Sequence, residues 1–309
     1  MRRILTYMLA ILLIAALVIP VGAQAFTTLV LYMLDDGAGL PGVVFEIYRV
    51  GSQSESGALV LEGDFAGYPV VLEDDPSGLG PQAAALYAFA KRDGRAPTAI
   101  VKTNTIGTVE AANLEAGLYL IGGRPQVHNG YLYHTEPQLI VLPYRDPITG
   151  LIMPRPELRM KYSKETYTQQ PISHKVLKIW DDVSGHMRPE SVTVHLLKDG
   201  SVHSTVTLSA ENQWRYEWND LEANALWQIA EDVPDGYTVT VEQEGTTFLM
   251  TNTAPEVPPP ETEPPVDPGP GGNIPQTGMI LWPVFLLAGL GIVCIAAGVC
   301  LRKGSAYEP

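Results

Sequence analysis

In the run His174-Lys175-Val176-Leu177-Lys178-Ile179-Trp180-Asp181-Asp182, an extended chain places Val176, Lys178 and Trp180 on one side. The paired aspartates then supply a turn. Six further strand-like runs follow before residue 253: Ser191–Leu197, Val202–Leu208, Trp214–Trp218, Trp227–Ile229, Gly236–Val241 and Thr246–Thr251. Lys198-Asp199-Gly200 and Pro234-Asp235-Gly236 mark turns between them. Seven short strands in so few residues predict a small β-sandwich over 174–253. Three polar residues break its inward pattern. Lys178 shares a face with Val176 and Trp180, Glu231 with Trp227 and Ile229, and Asn252 with Phe248 and Met250. An unpaired Lys or Glu is costly to bury, so three such residues together call for a chemical reason. Lys175, the other lysine of the first strand, faces the opposite way.

Working outward, residues 26–167 read as a separate β domain. Thr28–Leu34 and Val43–Val50 are strand-like, with Val43, Phe45 and Ile47 alternating in the second. Shorter runs follow at Leu59–Leu61, Tyr68–Leu72, Thr98–Val101, Leu118–Ile121, Gln138–Leu142 and Leu158–Tyr162. Pro81–Lys91 is the one helical expectation, Ala-rich with a proline suited to the first turn. The fold class expected is all-β, with two tandem β-sandwich domains.

The flanks are of a different kind. Residues 1–25 read as a secretory signal peptide: Arg2-Arg3, an apolar stretch from Ile4 to Ile19, then Ala23-Gln24-Ala25. Residues 254–273 are rich in Pro and Gly and predict an extended polyproline stalk about 60 Å long. Met279–Leu301 carries no charge over 23 residues, enough for a transmembrane helix. Arg302-Lys303 then leaves residues 302–309 as a cytoplasmic tail. The formal charge is −14, which disfavours nucleic acid and anionic membranes as partners. Both cysteines, Cys294 and Cys300, fall in the apolar span, so the exported part has no disulfide or thiol chemistry. No hydrolase, zincin, phosphate-loop or dinucleotide motif occurs, so no enzyme, cofactor or metal site is expected. His128 and His134, near Tyr131 and Tyr133, read as an exposed loop, and the acidic turn Glu73-Asp74-Asp75 lacks diagnostic calcium-ligand spacing.

Three resemblances join these pieces. Ile274-Pro275-Gln276-Thr277-Gly278, followed by an apolar span and a basic tail, resembles the sorting signal of Gram-positive surface proteins. It implies sortase cleavage between Thr277 and Gly278 and transfer of Thr277 to peptidoglycan or to another pilin subunit. Leu40–Val50, Gly117–Ile121, Thr135-Glu136-Pro137 and Leu142-Pro143-Tyr144 resemble the N-terminal domain of Gram-positive pilins. Unlike some relatives, the first strand has no lysine, so no cross-link is expected from it. Leu177–Asp182, Arg188–Val194, Thr207-Leu208-Ser209, Trp214-Arg215-Tyr216, Glu231–Tyr237 and Thr251-Asn252-Thr253 resemble a collagen-adhesin B-type (Cna-B) domain. That resemblance implies an intramolecular isopeptide between Lys178 and Asn252, assisted by Glu231. Tyr162-Ser163-Lys164-Glu165 matches the Tyr-Pro-Lys-Asn motif of pilin backbones only at Tyr and Lys, leaving Lys164 as a candidate linking lysine. The expectation is a wall-anchored, pilin-like structural or adhesive surface protein. The alternative is a non-polymerised adhesin whose N-terminal domain binds a host or matrix protein.

Overall fold

The computed structural model describes residues 26–73, 76–182 and 188–254. The signal peptide, nearly all of the stalk, the Ile274–Gly278 motif, the apolar span and the basic tail lie outside the described residues. So do Asp74 and Asp75 of the acidic turn.

The first domain opens with β1 (Thr27–Tyr32), the short hairpin β2 (Leu34–Asp35) and β3 (Ala38–Gly39), then β4 (Val44–Gln53) and β5 (Leu59–Leu61). Helix α1 (Gly80–Arg92) follows. Then come β6 (Ala99–Lys102), β7 (Thr108–Leu114), β8 (Gly117–Gly123), β9 (Gln126–His128), β10 (Tyr131–Thr135), β11 (Gln138–Leu142), β12 (Glu157–Arg159) and β13 (Tyr162–Thr166). One sheet runs β12-β1-β7; the other runs β11-β8-β4-β5, with β6 also on β4. Leu29 and Leu31 of β1 meet Phe45 and Ile47 of β4 and Tyr119 and Ile121 of β8 between them. This is the inward face expected from the alternation in β4. A third small sheet, β13-β10-β9, takes in Tyr131–Thr135, so Tyr131, Tyr133 and His134 are strand residues and not a loop. Tyr68–Leu72 forms no strand: Pro69 cannot donate to a ladder, and its carbonyl is used elsewhere.

The second domain comprises β14 (Ile172–Asp181), β15 (Ser191–Lys198), β16 (Ser201–Ser209), β17 (Arg215–Leu221), β18 (Trp227–Asp232), β19 (Thr238–Glu244) and β20 (Thr247–Thr253). All seven expected strands are present. They form two sheets, β17-β14-β20-β19 and β16-β15-β18. The first and last strands, β14 and β20, are parallel neighbours, with Lys178 opposite Met250 and Trp180 opposite Asn252.

The domains share apolar packing. The outer face of β4 and β8, with Tyr48, Val50, Leu118 and Leu120, is covered by α1. Gly122 permits this approach: a Cβ there would run into the Tyr87 ring. The far side of α1 packs on β18 and β19, so one continuous cluster joins Ala83, Leu86 and Phe89 to Val194, Ile229 and Val239. A polar cluster borders the joint. Glu46, 2 % exposed, is bonded to Lys91 at 2.9 Å, Arg124 at 2.8 Å and Tyr48 at 2.9 Å. The Asp199-Gly200 turn sits against the Lys91 side chain. No helix among the described residues is long and apolar enough to cross a membrane.

Candidate functional site

Lys178, Glu231 and Asn252 reach one point in the second domain from three strands. Each occupies an inward position of its strand, alternating with exposed or half-buried neighbours in β14 and β20. Lys178 is 4 % exposed, Glu231 1 % and Asn252 0 %. Asn252 Nδ2 donates to Glu231 Oε1 at 2.8 Å. Glu231 Oε2 lies 3.5 Å from Lys178 Nζ. The ammonium end of Lys178 also meets the Ile179 carbonyl at 3.2 Å and the Met250 carbonyl at 3.4 Å. It sits 4.5 Å from the centre of the Trp180 ring. Trp180 is held edge-on by Trp214 at 5.2 Å and by Tyr237 at 5.1 Å, which walls the site with aromatic carbon.

Electrostatics follow from this burial. Removal from water pushes Lys178 down from its ordinary value and Glu231 up from its own, against their mutual attraction. Both shifts favour an uncharged amine beside an uncharged acid. Asn252 Oδ1 is buried and has no hydrogen-bond partner among the described residues. Turning the amide over would put Oδ1 against Glu231, where a protonated carboxyl donates to it. The arrangement can therefore polarise the amide carbonyl next to a neutral amine. Lys175 is excluded from this point; it faces outward and pairs with Glu217 at 3.5 Å.

Lys164 lies elsewhere, on β13. Its Nζ meets both oxygens of Asp35 at 2.8 Å, and Tyr133 and Tyr162 donate to the same carboxylate, each at 2.8 Å. The hydrogen bond from Lys164, with those from the two tyrosines, holds Asp35 down at about 2. The same bond raises Lys164 above its ordinary value. The sequence carried no sign of this cluster, since Asp35, at the end of β2, lies far upstream. His134 pairs with Glu165 at 3.3 Å. No group of three or more His, Cys, Asp or Glu among the described residues is arranged to hold a metal ion.

Residues 174–253 match the family profile described as the Cna protein B-type domain. The collagen adhesin of Staphylococcus aureus is 35% identical over 89 residues, which is 26% of this chain and 7% of that protein, so the chain spans only a small part of it. Two B repeat units of the collagen-binding protein of Staphylococcus aureus overlay with a TM-score of 0.24 at 19% identity, covering 74% of this chain and 50% of theirs. The shaft pilin SpaA of Lactobacillus rhamnosus GG overlays with a TM-score of 0.25 at 15% identity, covering 76% of this chain and 100% of that one.

Proposed function

We propose that this chain, whose residues 174–253 match the Cna B-type domain, is a cell-surface structural or adhesive protein hardened by a Lys178–Asn252 isopeptide. The observation that carries this reading is the convergence of Lys178, Glu231 and Asn252 inside the sandwich, without solvent contact. The neutral amine of Lys178 attacks the side-chain carbonyl carbon of Asn252, while protonated Glu231 donates to Oδ1. A C–N bond to Lys178 forms and the bond to Nδ2 breaks. Glu231 passes a proton from the attacking nitrogen to the departing one, which leaves as ammonia. The reaction happens once and leaves the acid as it began. Anchoring by sortase through Ile274–Gly278 is the second part of the proposal and rests on the motif and its setting. The partners that follow are a sortase and either peptidoglycan or other pilin subunits.

One observation favours the non-polymerised alternative, an adhesin that contacts a host or matrix protein. Lys164 is held as a protonated ion pair by Asp35, a poor state for a nucleophile. Comparing the native host with a Lys164→Ala strain separates the readings: a high-mass ladder on denaturing gels that disappears in the variant belongs to a pilin. No ladder in either belongs to a monomeric adhesin.

The cross-link itself is tested by intact mass. Residues 26–254 are expected to be lighter than the encoded chain by one ammonia, about 17 Da, and the Glu231→Ala form to keep full mass. Full mass in both would end the reading.

A further inference from the structure

We infer that the first domain is part of the cross-linking apparatus of the second: α1 walls the flank of the sandwich beside Glu231, and Arg92 positions that acid through its main-chain carbonyl. This rests on the cross-link proposed above. The geometry begins with strand order. β18 ends its sheet and β19 ends the other, so the acid-bearing strand and the neighbour of the amide-bearing strand each present an edge without a strand partner among the described residues. Both edges are met by the first domain. Arg92 Nη1 donates to the Glu231 carbonyl at 3.1 Å and lies 3.5 Å from the Asp232 carboxylate. The Val239 N–H donates to the Pro69 carbonyl at 2.8 Å, and Val239 is the residue opposite Asn252 on β20.

Arg92 is itself fixed. Its Nε bonds Asp93 at 2.8 Å, and its guanidinium stacks 4.9 Å over the Phe89 ring. With Asp93 and Asp232 beside it, its charge is balanced locally, so it holds the β18 main chain without forcing Glu231 to ionise. The outward residues of β18 complete the wall. Gln228 and Ala230 alternate with the inward Ile229 and Glu231, yet are 8 % and 2 % exposed, because α1 lies over them. A surface-facing β18 would let water approach the acid from behind. Covered as it is, the strand keeps Glu231 dry, and dryness is what sets both reacting groups to their neutral forms.

Arg92 is therefore a positioning residue, and it is tested in residues 26–254 made by cell-free synthesis, quenched in acid at intervals and weighed intact. Arg92→Met keeps an unbranched apolar side chain at this position and removes the donors. It is expected to slow ammonia loss by about ten- to a hundredfold, within what a positioned acid contributes. Arg92→Lys, which retains a charged donor, is expected to recover much of the rate. The pH profile separates positioning from folding. The rate falls on the acid side as Lys178 is protonated and on the alkaline side as Glu231 ionises. Water at the flank raises the Lys178 pKa and lowers that of Glu231, so the plateau narrows, its acid limb moving up and its alkaline limb down. A loss of folded protein scales the profile and moves neither limb. Wild-type rate and limbs in Arg92→Met overturn the inference and leave the cross-link standing. Absence of ammonia loss in the wild type overturns both.

Discussion

At the scale of single residues, Glu46 is the buried charge on which the first domain depends. Burial pushes its carboxyl up, but Arg124 and Lys91 hold it down at about 2. Removing one partner of such a pair strands the other, so Glu46→Ala is expected to lower unfolding free energy by about 3–5 kcal/mol in urea titration. The sign of its pH dependence follows. A depressed carboxylate contributes stability above its unfolded value, near 4.5, and loses it as pH falls toward about 2. A Glu46→Gln variant is accordingly expected to show a flatter stability curve across that window. The sequence explains why this residue was missed. Alternation over residues 43–50 puts Val43, Phe45 and Ile47 inside and leaves Glu46 and Tyr48 facing out, which reads as solvent. The outward face is in fact covered by α1, and its ion partners come from residues 91 and 124, distant in the chain. Lys178, Glu231 and Asn252 could be read in advance because the resemblance to the Cna-B domain points to them and the strand period puts each on an inward face, where the structure also has them buried.

At the scale of elements, α1 was foreseen within one residue at each end, from alanine content and Pro81, but its role was not. Ala83, Ala85, Leu86, Tyr87, Ala88, Phe89 and Ala90 are all buried, which covers the helix on every side. A helix apolar all round lies between two partners, and that was the available signal. Strands β7 and β10 went unread because Thr108–Leu114 and Tyr131–Thr135 lack a clean alternation. The Tyr68–Leu72 run has strand-like residues but serves as a loop whose Pro69 carbonyl caps β19. The double burial of α1 makes a sharp prediction. Ala90 is fully buried, so Ala90→Leu overpacks the core around α1 and is expected to cost about 1–3 kcal/mol. The tryptophans of residues 26–254 are Trp180, Trp214, Trp218 and Trp227, all in the second domain. Their fluorescence should therefore report an unfolding midpoint lowered by a substitution in the first. An unchanged midpoint by tryptophan, with loss by far-UV circular dichroism, would mean that the two domains unfold separately.

At the scale of the whole molecule, the topology decides how force passes through. The chain enters the second domain on β14 and leaves it on β20, and these two strands are parallel neighbours. Tension between the ends of the domain therefore shears one strand against the other, loading their shared ladder together. The proposed isopeptide joins Lys178 to Asn252, so the load path runs along β14 to residue 178, across the bond, and out at residue 252. Everything from residue 179 to residue 251 lies outside that path and cannot be extended while the bond holds. By the loop-entropy relation for cross-links, closing a loop of this length also stabilises the folded domain by about 4 kcal/mol. Single-molecule pulling from both ends of residues 26–254 reads both consequences. The Glu231→Ala chain should release, on unfolding of the second domain, a contour length on the order of 250 Å that the wild type never releases at any force below covalent rupture. A wild-type trace containing that step would show that load reaches the interior of the sandwich, and the force-bearing role would fail with it.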